Sequence, residues 1–278
     1  MIVWIDGALV ELADARISPL DRGLTVGDGV FETLRVYAGA PFAWRRHAER
    51  LLYSAQALGL ELPDTNVLRS AVDDVLRANQ LSDARVRVTV TGGEGPLGSS
   101  RAASVPVAIV VAVPFTPGAA TARVVIAPWT RNENSATAGL KTISYASNVR
   151  TIAHAQQQGA DEAIFANTSG NLCEATGSNV FVVHNDRLRT PPASAGCLLG
   201  VTRGLVLELA VSLGLDVAEE NLPISALATS DEAFLSSTTR EVQPITHVDG
   251  TALPRAPGPI AEKLAAAFTD LVTHNLDP

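Results

Sequence analysis

Of the 21 basic residues in this 278-residue chain only two are lysines, Lys141 and Lys263. Any chemistry that needs a side-chain primary amine therefore has two candidates. Lys263 follows Glu262 in an Ala/Leu-rich stretch, where a lysine on the solvated face of a helix is ordinary. Lys141 sits in Ala138-Gly139-Leu140-Lys141-Thr142-Ile143-Ser144-Tyr145, with no neighbouring charge. A lysine in such surroundings either snorkels to water or is kept for its amine, which holds its proton less tightly once desolvated.

Three further groups could hold an anion. Gly200-Val201-Thr202-Arg203 opens an apolar helical stretch, and the first amides of a helix have no internal acceptors, so they point at whatever anion lies beyond. The bland alternative is that Thr202 is only a cap. Ser236-Ser237-Thr238-Thr239 ends a strand-like run and offers four hydroxyls, either as a polar turn or as a second anion contact. Arg50 lies beside Leu51 and Leu52, which are expected to face inward, so it can serve either as a surface residue or inside. An anion cradle and an amine together are the two requirements of a pyridoxal phosphate site.

Other chemistries find less support. Gly93-Glu94-Gly95-Pro96-Leu97-Gly98 matches GxGxxG literally. Pro96 and the residues after it do not continue as a helix, so no helix N-terminus would face a pyrophosphate, and a dehydrogenase is the remote fourth alternative. His47, His154, His184, His247 and His274 stand singly, and Cys173 and Cys197 are 24 positions apart without a CxxC. No metal site or disulfide framework is expected, and the cytoplasm is the default location. The formal net charge is −8 and no run of like charges exists, which argues against a nucleic-acid surface. No apolar run reaches the ~18 residues of a membrane span, and the amino-terminal residues lack a signal-peptide pattern.

The elements that must position these residues can be read from periodicity. A strand is expected over Val30–Tyr37. Helices are expected over Trp44–Leu58, stopped by Gly59, and over Thr65–Asn79, capped by Asp64. Strands Ala84–Thr91 and Val105–Val113 follow, then a Pro/Gly-rich break at Pro114–Gly118. Beyond it come a strand Ala122–Ala127, an irregular segment to Gly139 and a helix Ala146–Gln158. Short strands are expected at Glu162–Ala166, Asn179–His184, Arg187–Thr190, Asp216–Glu219, Glu232–Ser236 and Gln243–Val248, with helices Thr202–Leu213 and Ala256–His274. Strands and helices without regular βαβ alternation imply an α+β fold. The expected division is a small α/β domain over 1–116, a linker over 117–121 and a larger domain over 122–278.

Taken in order, the blocks Gly27-Asp28-Gly29-Val30-Phe31-Glu32-Thr33, His47-Ala48-Glu49-Arg50-Leu51, Leu140-Lys141-Thr142, Glu174-Ala175-Thr176-Gly177-Ser178-Asn179, Gly200-Val201-Thr202-Arg203, Ser236-Ser237-Thr238-Thr239 and Pro244 resemble the class IV, fold-type IV pyridoxal-phosphate enzymes. That family holds D-amino-acid and branched-chain aminotransferases, amine transaminases and aminodeoxychorismate lyases. The resemblance covers nearly the whole chain. It implies a small amino-terminal α/β domain and a larger β-rich carboxy-terminal domain with pyridoxal 5′-phosphate in the cleft between them, and a homodimer acting on small amino and keto acids. It implies Lys141 as the Schiff-base lysine and later proton carrier, and Glu174 as the acid paired with the pyridine nitrogen. Arg50, the amides of Val201 and Thr202, and Thr238 are implied as phosphate ligands. Leu198 would lie against the ring face, and Tyr145 would partner the cofactor's phenolic oxygen. A mere binder of the cofactor would not need to retain the Lys141, Glu174 and Arg50 set.

Substrate choice is less determined. The Arg-x-His pair of the best-known D-amino-acid transaminases is replaced here by the Gly92–Gly98 loop. Arg85, Arg87, Thr89 and Thr91 alternate to one strand face. Arg87 matches an arginine that some family members place near the substrate carboxylate, and the alternative is a strand arginine paired with a neighbour. Phe31 and Thr239 are expected beside it in substrate binding, with Arg22 and Arg131 as reserve cations. Together these features imply transamination of D-amino acids to a 2-oxo acid. Aminodeoxychorismate lyase and then branched-chain L-amino-acid aminotransferase are the alternatives.

Overall fold

The computed structural model describes residues 1–101 and 104–278. The chain folds into two compact units. One comprises residues 1–116, 140–145 and 275–278, and the other residues 117–139 and 146–274. Neither unit follows the sequence without interruption, because two short segments of the carboxy-terminal half belong to the first.

The first unit is built from β1 (Ile2–Ile5), β2 (Ala8–Glu11), α1 (Arg22–Val26), β3 (Gly29–Tyr37), β4 (Ala40–Pro41), α2 (Trp44–Leu58), α3 (Thr65–Ala78), β5 (Ala84–Thr91) and β6 (Val107–Pro114). Its six strands form one antiparallel sheet in the order β2-β1-β6-β5-β3-β4. Val30, Leu34 and Val36 of β3, Val86, Val88 and Val90 of β5, and Ala108, Val110 and Ala112 of β6 form its core with Leu51 and Ala55 of α2 and Leu68, Val72 and Val75 of α3. Alternation along the strands puts Phe31 and Thr33 of β3, with Arg87 and Thr89 of β5, on the opposite face.

Helix α2 ends at Gly59 in the left-handed conformation and α3 is capped by Asp64, whose carboxylate accepts from Asn66 N. The inward stripe of α2 differs from the expected one. Leu52 is exposed, whereas His47, Ala48, Leu51, Ser54 and Ala55 are buried. Val67 of α3 is likewise exposed.

Backbone pairing explains the two returning segments. Leu140–Tyr145 lines the free edge of β3: Phe31 N donates to Lys141 O at 3.1 Å, Ile143 N donates to Gly29 O at 3.0 Å, and Val30 bridges Thr142. An edge that would otherwise expose unpaired backbone is thereby covered. The carboxy-terminal segment serves the start of α2, where Ala43 offers no side-chain cap. Ala43 N donates to Leu276 O and Arg45 N donates to the Asp277 carboxylate.

The second unit contains β7 (Ala122–Ile126), α4 (Ala146–Gln157), β8 (Glu162–Ala166), β9 (Leu172–Ala175), β10 (Asn179–His184), β11 (Arg187–Thr190), α5 (Val201–Ser212), β12 (Asp216–Glu219), β13 (Glu232–Ser237), β14 (Glu241–Val248), β15 (Thr251–Ala252) and α6 (Pro259–His274). They form a mixed nine-stranded sheet ordered β12-β11-β10-β13-β14-β7-β8-β9, with β15 added to β14. The core includes Ile164, Leu172, Val180, Val182, Leu235 and Ile245. Two βαβ crossovers, β7-α4-β8 and β11-α5-β12, sit among antiparallel pairs, and this mixed sheet beside an antiparallel one makes the fold α+β, as expected. Strand β9, which carries Glu174, was not expected from the sequence. Leu172 to Ala175 is buried at three of its four positions, so the run shows no alternation.

Candidate active site

In the first unit the chemistry gathers on two elements, β3 and α2. Glu32 and Phe31 are adjacent on β3 and therefore point to opposite faces of the sheet. Glu32 turns toward α2 and is completely enclosed. Its Oε1 accepts from Arg50 Nε at 2.7 Å and its Oε2 from Arg50 Nη2 at 2.8 Å. His47 Nδ1 stands 2.7 Å from Oε2. A carboxylate only accepts, so Nδ1 carries the proton. Burial alone would raise the Glu32 pKa, but Arg50 and His47 outweigh it and hold the group well below the usual carboxylate range. Burial pushes His47 below its own usual range, against the pull of Glu32. The bland expectation for His47, a satisfied residue, matches this arrangement. Its partner is a buried acid that periodicity alone did not reveal.

On the other face, Lys141 Nζ lies 4.4 Å from the centroid of the Phe31 ring and the Arg87 guanidinium 3.6 Å from it. Tyr145 meets the same ring edge-on at 5.3 Å. Three residues singled out from the sequence thus converge on Phe31, a fourth. Arg87 is exposed, and its Nε donates to the Thr89 hydroxyl at 3.0 Å. Its strand neighbour is therefore a hydroxyl and not an acid.

Arg22 is used elsewhere, contrary to its place among the reserve cations. It is 2 % exposed, pairs with Asp28 at 3.0 Å and donates to the carbonyls of Gly98, Ser99 and Ser100. Asp28 also takes a two-pronged contact from Arg101, at 2.7 and 2.6 Å. The glycine loop after β5 is thus wrapped around a buried arginine. Gly93 has a positive φ of 70°, and a Cβ on it would fall 1.7 Å from Val105 O, so the close backbone approach requires glycine. No helix follows in the described residues up to Arg101, so the loop lacks the helix start that would face a pyrophosphate.

In the second unit, Glu174 on β9 accepts from Leu198 N at 2.9 Å and faces Arg131 at 3.3 Å. Arg131, the other reserve cation, also stacks on Phe165 at 4.4 Å. It is a partner of Glu174, which the sequence did not signal. Asn179 Nδ2 donates to Leu198 O at 2.7 Å, and a Cβ on Gly200 would lie 2.1 Å from Asn179 Oδ1. Gly200 therefore lets the start of α5 close against β10 and presents the amides of Val201 and Thr202, both buried residues.

Asn179 pairs across the sheet with Ser236. Ser236 Oγ and the neighbouring Ser178 Oγ are buried without a partner among the described residues. Orphaned hydroxyls in a native interior call for a ligand. Ser236 faces Asn179, whose side chain touches the helix start at Gly200, so its hydroxyl and the first amides of α5 fit an anionic group such as a phosphate ester. Thr238 and Thr239 follow Ser237 in the turn between β13 and β14. That turn is held by Arg240, which reaches Glu162 at 3.2 Å, and Glu162 in turn accepts from Thr176 N at 3.2 Å. Among the described residues no group of acids, histidines and cysteines is placed to hold a metal. Burial pushes Cys173 far up and Cys197 up to about 12, so neither is a nucleophile.

Comparison with known proteins agrees with this chemistry. The sequence profile of the family described as amino-transferase class IV matches residues 29–248. A Methanocaldococcus jannaschii protein, named by inference as a branched-chain-amino-acid aminotransferase, is 35% identical over 98% of this chain and 97% of its own. The D-alanine aminotransferase of Bacillus licheniformis is 31% identical over 98% of this chain and 97% of its own. A T.th. branched-chain amino acid aminotransferase, solved with N-(5′-phosphopyridoxyl)-L-glutamate, superposes with a TM-score of 0.92 at 27% identity, covering 98% of this chain and 94% of that one. Likeness of this extent, over nearly the whole length of the chain, means that the protein belongs to the class IV aminotransferases and works with pyridoxal 5′-phosphate.

Proposed function

We propose that the enzyme takes the amino group of D-amino acids and passes it to a 2-oxo acid through a Schiff base on Lys141. The observation that carries this reading is the shared Phe31 ring, with the Lys141 amine 4.4 Å and the Arg87 guanidinium 3.6 Å from its centroid. An α-amino acid bears its nitrogen and its carboxylate on one carbon. A site that processes it needs an amine-exchanging group and an anion-accepting group close together, and among the described residues Arg87 is held by a hydroxyl rather than by an acid that would neutralise it. The Gly29-Val30-Phe31-Glu32-Thr33 block and the Bacillus licheniformis relative support the D-series. The branched-chain relatives support a second reading, in which Arg87 holds the carboxylate of an L-amino acid.

Bound pyridoxal phosphate supplies the electron sink that stabilises a substrate carbanion. In this reading the Lys141 amine would hold the cofactor and would then serve as the group that moves a proton at the substrate Cα. Glu174 keeps the pyridine nitrogen protonated, and Arg131 and Leu198 N orient its carboxylate. Arg50, the amides of Val201 and Thr202, and Thr238 hold the phosphate. Leu198 supports the ring and Tyr145 its phenolic oxygen, while Phe31 and Thr239 border the substrate. A homodimer in the cytoplasm belongs to the same reading, supported by the family resemblance and by two buried thiols that form no disulfide.

The test supplies D-alanine, L-leucine and aminodeoxychorismate separately and follows cofactor absorbance and keto-acid release. Keto acid is expected from D-alanine. Replacing Arg87 by Ala should raise KM for D-alanine about ten- to hundredfold, the worth of a charge-assisted contact, while sparing an amine that lacks a carboxylate. Equal losses on both substrate types would make Arg87 structural. Turnover of L-leucine alone, or pyruvate from aminodeoxychorismate alone, would replace the D-series reading with the branched-chain or the lyase one.

A further inference from the structure

Ser54 has no place in the chemistry above, yet it is completely buried on α2. Its Oγ accepts the backbone N–H of Lys141 at 3.2 Å, across 87 positions of sequence. The carbonyl of the same residue accepts from Phe31 N at 3.1 Å. The two sides of Lys141's backbone are thus anchored on different elements, the N–H on α2 and the C=O on β3.

The same two elements fix Arg50. It lies four residues before Ser54, about 6 Å or one turn along the helix and on the same face. Its guanidinium is clamped by Glu32, the β3 residue next to Phe31. Four hydrogen bonds therefore define one frame: Ser54 and Phe31 hold the backbone of the amine-bearing residue, while Glu32 holds the guanidinium through two. Rotation or sliding of Leu140–Tyr145 would have to break the Ser54 contact, because this short edge strip is otherwise hydrogen-bonded to β3 and to Gly27 just before it.

We infer that Ser54 is a positioning residue that sets where the Lys141 amine stands relative to the Arg50 guanidinium, and with it the geometry in which the cofactor is held at its two ends. This rests on the roles given above to Lys141 and Arg50. Without the hydroxyl, the Lys141 N–H must either find water, which moves the segment off α2, or stay unsatisfied when the cofactor locks it in place. The cost falls mainly on the cofactor-bound state, since the unattached segment can relax.

The test compares Ser54→Ala, Ser54→Thr and Ser54→Val. Thr and Val have the same shape and crowd the helix equally, and only Thr retains an acceptor. Three quantities are read: pyridoxal phosphate affinity of the cofactor-free protein, the pH midpoint of the visible absorbance band in the holoenzyme, and the thermal midpoint of the cofactor-free protein. The Ala and Val variants should bind the cofactor about five- to thirtyfold more weakly, as expected for one donor left without its acceptor. The pH midpoint should move in both, and Thr should stay near wild type in both readouts. Equal behaviour of Thr and Val would overturn the proposal, as would unchanged affinity and pH midpoint with only the thermal midpoint lowered. Borohydride reduction of the wild-type holoenzyme serves as a control. Label on a peptide containing Lys141 leaves the test to decide on Ser54, whereas label on Lys263 would remove the functional reading itself and this inference with it.

Discussion

Replacing Glu32 by Gln tests the buried array behind the cofactor amine. The wild-type carboxylate accepts three contacts, two from Arg50 and one from His47, at 2.7 to 2.8 Å. Gln keeps the shape but offers one acceptor oxygen, turns an N–H₂ toward donors and leaves the Arg50 charge without its counterion. Removing one partner of a buried pair costs about 3–5 kcal/mol. At roughly 2–4 °C per kcal/mol for a chain of this class, the thermal midpoint should fall by about 6–20 °C. The pH dependence should change as well. Because the folded-state pKa of Glu32 is depressed, its contribution is present above the ordinary Glu value of 4.5 and is lost as pH falls toward the folded value. The gap between wild type and variant should therefore be full at pH 7 and narrow below about pH 4.5. Thermal unfolding of the cofactor-free proteins at several pH values measures this, together with the double variant Glu32→Gln/Arg50→Gln. Removing both partners should recover part of the loss. A variant within a degree of wild type at pH 7, or a double variant whose loss is the sum of the single ones, would refute the account of Glu32 as the counterion of Arg50.

Two further outcomes are expected. Glu174→Gln should still bind pyridoxal phosphate but slow the half-reaction with an amino donor by orders of magnitude, measured by stopped-flow absorbance, and an unchanged rate would assign the ring nitrogen another partner. Gly200→Ala places a Cβ 2.1 Å from Asn179 Oδ1, so the start of α5 or the Asn179 side chain must move. Affinity for pyridoxal phosphate should then drop at least about tenfold, and affinity for phosphate-free pyridoxal much less, by equilibrium binding to the cofactor-free protein.

Local pattern sufficed for much of this molecule. The span Trp44–Leu58 and its stop at Gly59 follow from period and from the conformational freedom of glycine, and Ala84–Thr91 follows from strict alternation. Lys141 stood out because only one other residue could supply the same amine. The ordered blocks that contain Arg50, Glu174 and Gly200-Val201-Thr202 carried the family resemblance and the cofactor with it. These properties reside in residue type and short spacing, which a sequence displays directly.

What stayed hidden was every relation that depends on distant segments meeting. Nothing near Glu32 announces that Arg50, 18 positions away, balances its charge or that His47, 15 positions away, donates to it. Ser54 read as a small residue on a helix until Lys141 arrived from 87 positions downstream. Arg22 and Arg131 stood in reserve behind Arg87, and only folding showed the first enclosed by carbonyls and Asp28 and the second facing Glu174. Strand β9 was missed because a four-residue pairing is made by its partner β8 and not by its own alternation. Periodicity reports which side of an element is apolar, whereas the partner of a buried charge or an edge strand is set by long-range packing, and that information exists only once the chain has closed on itself.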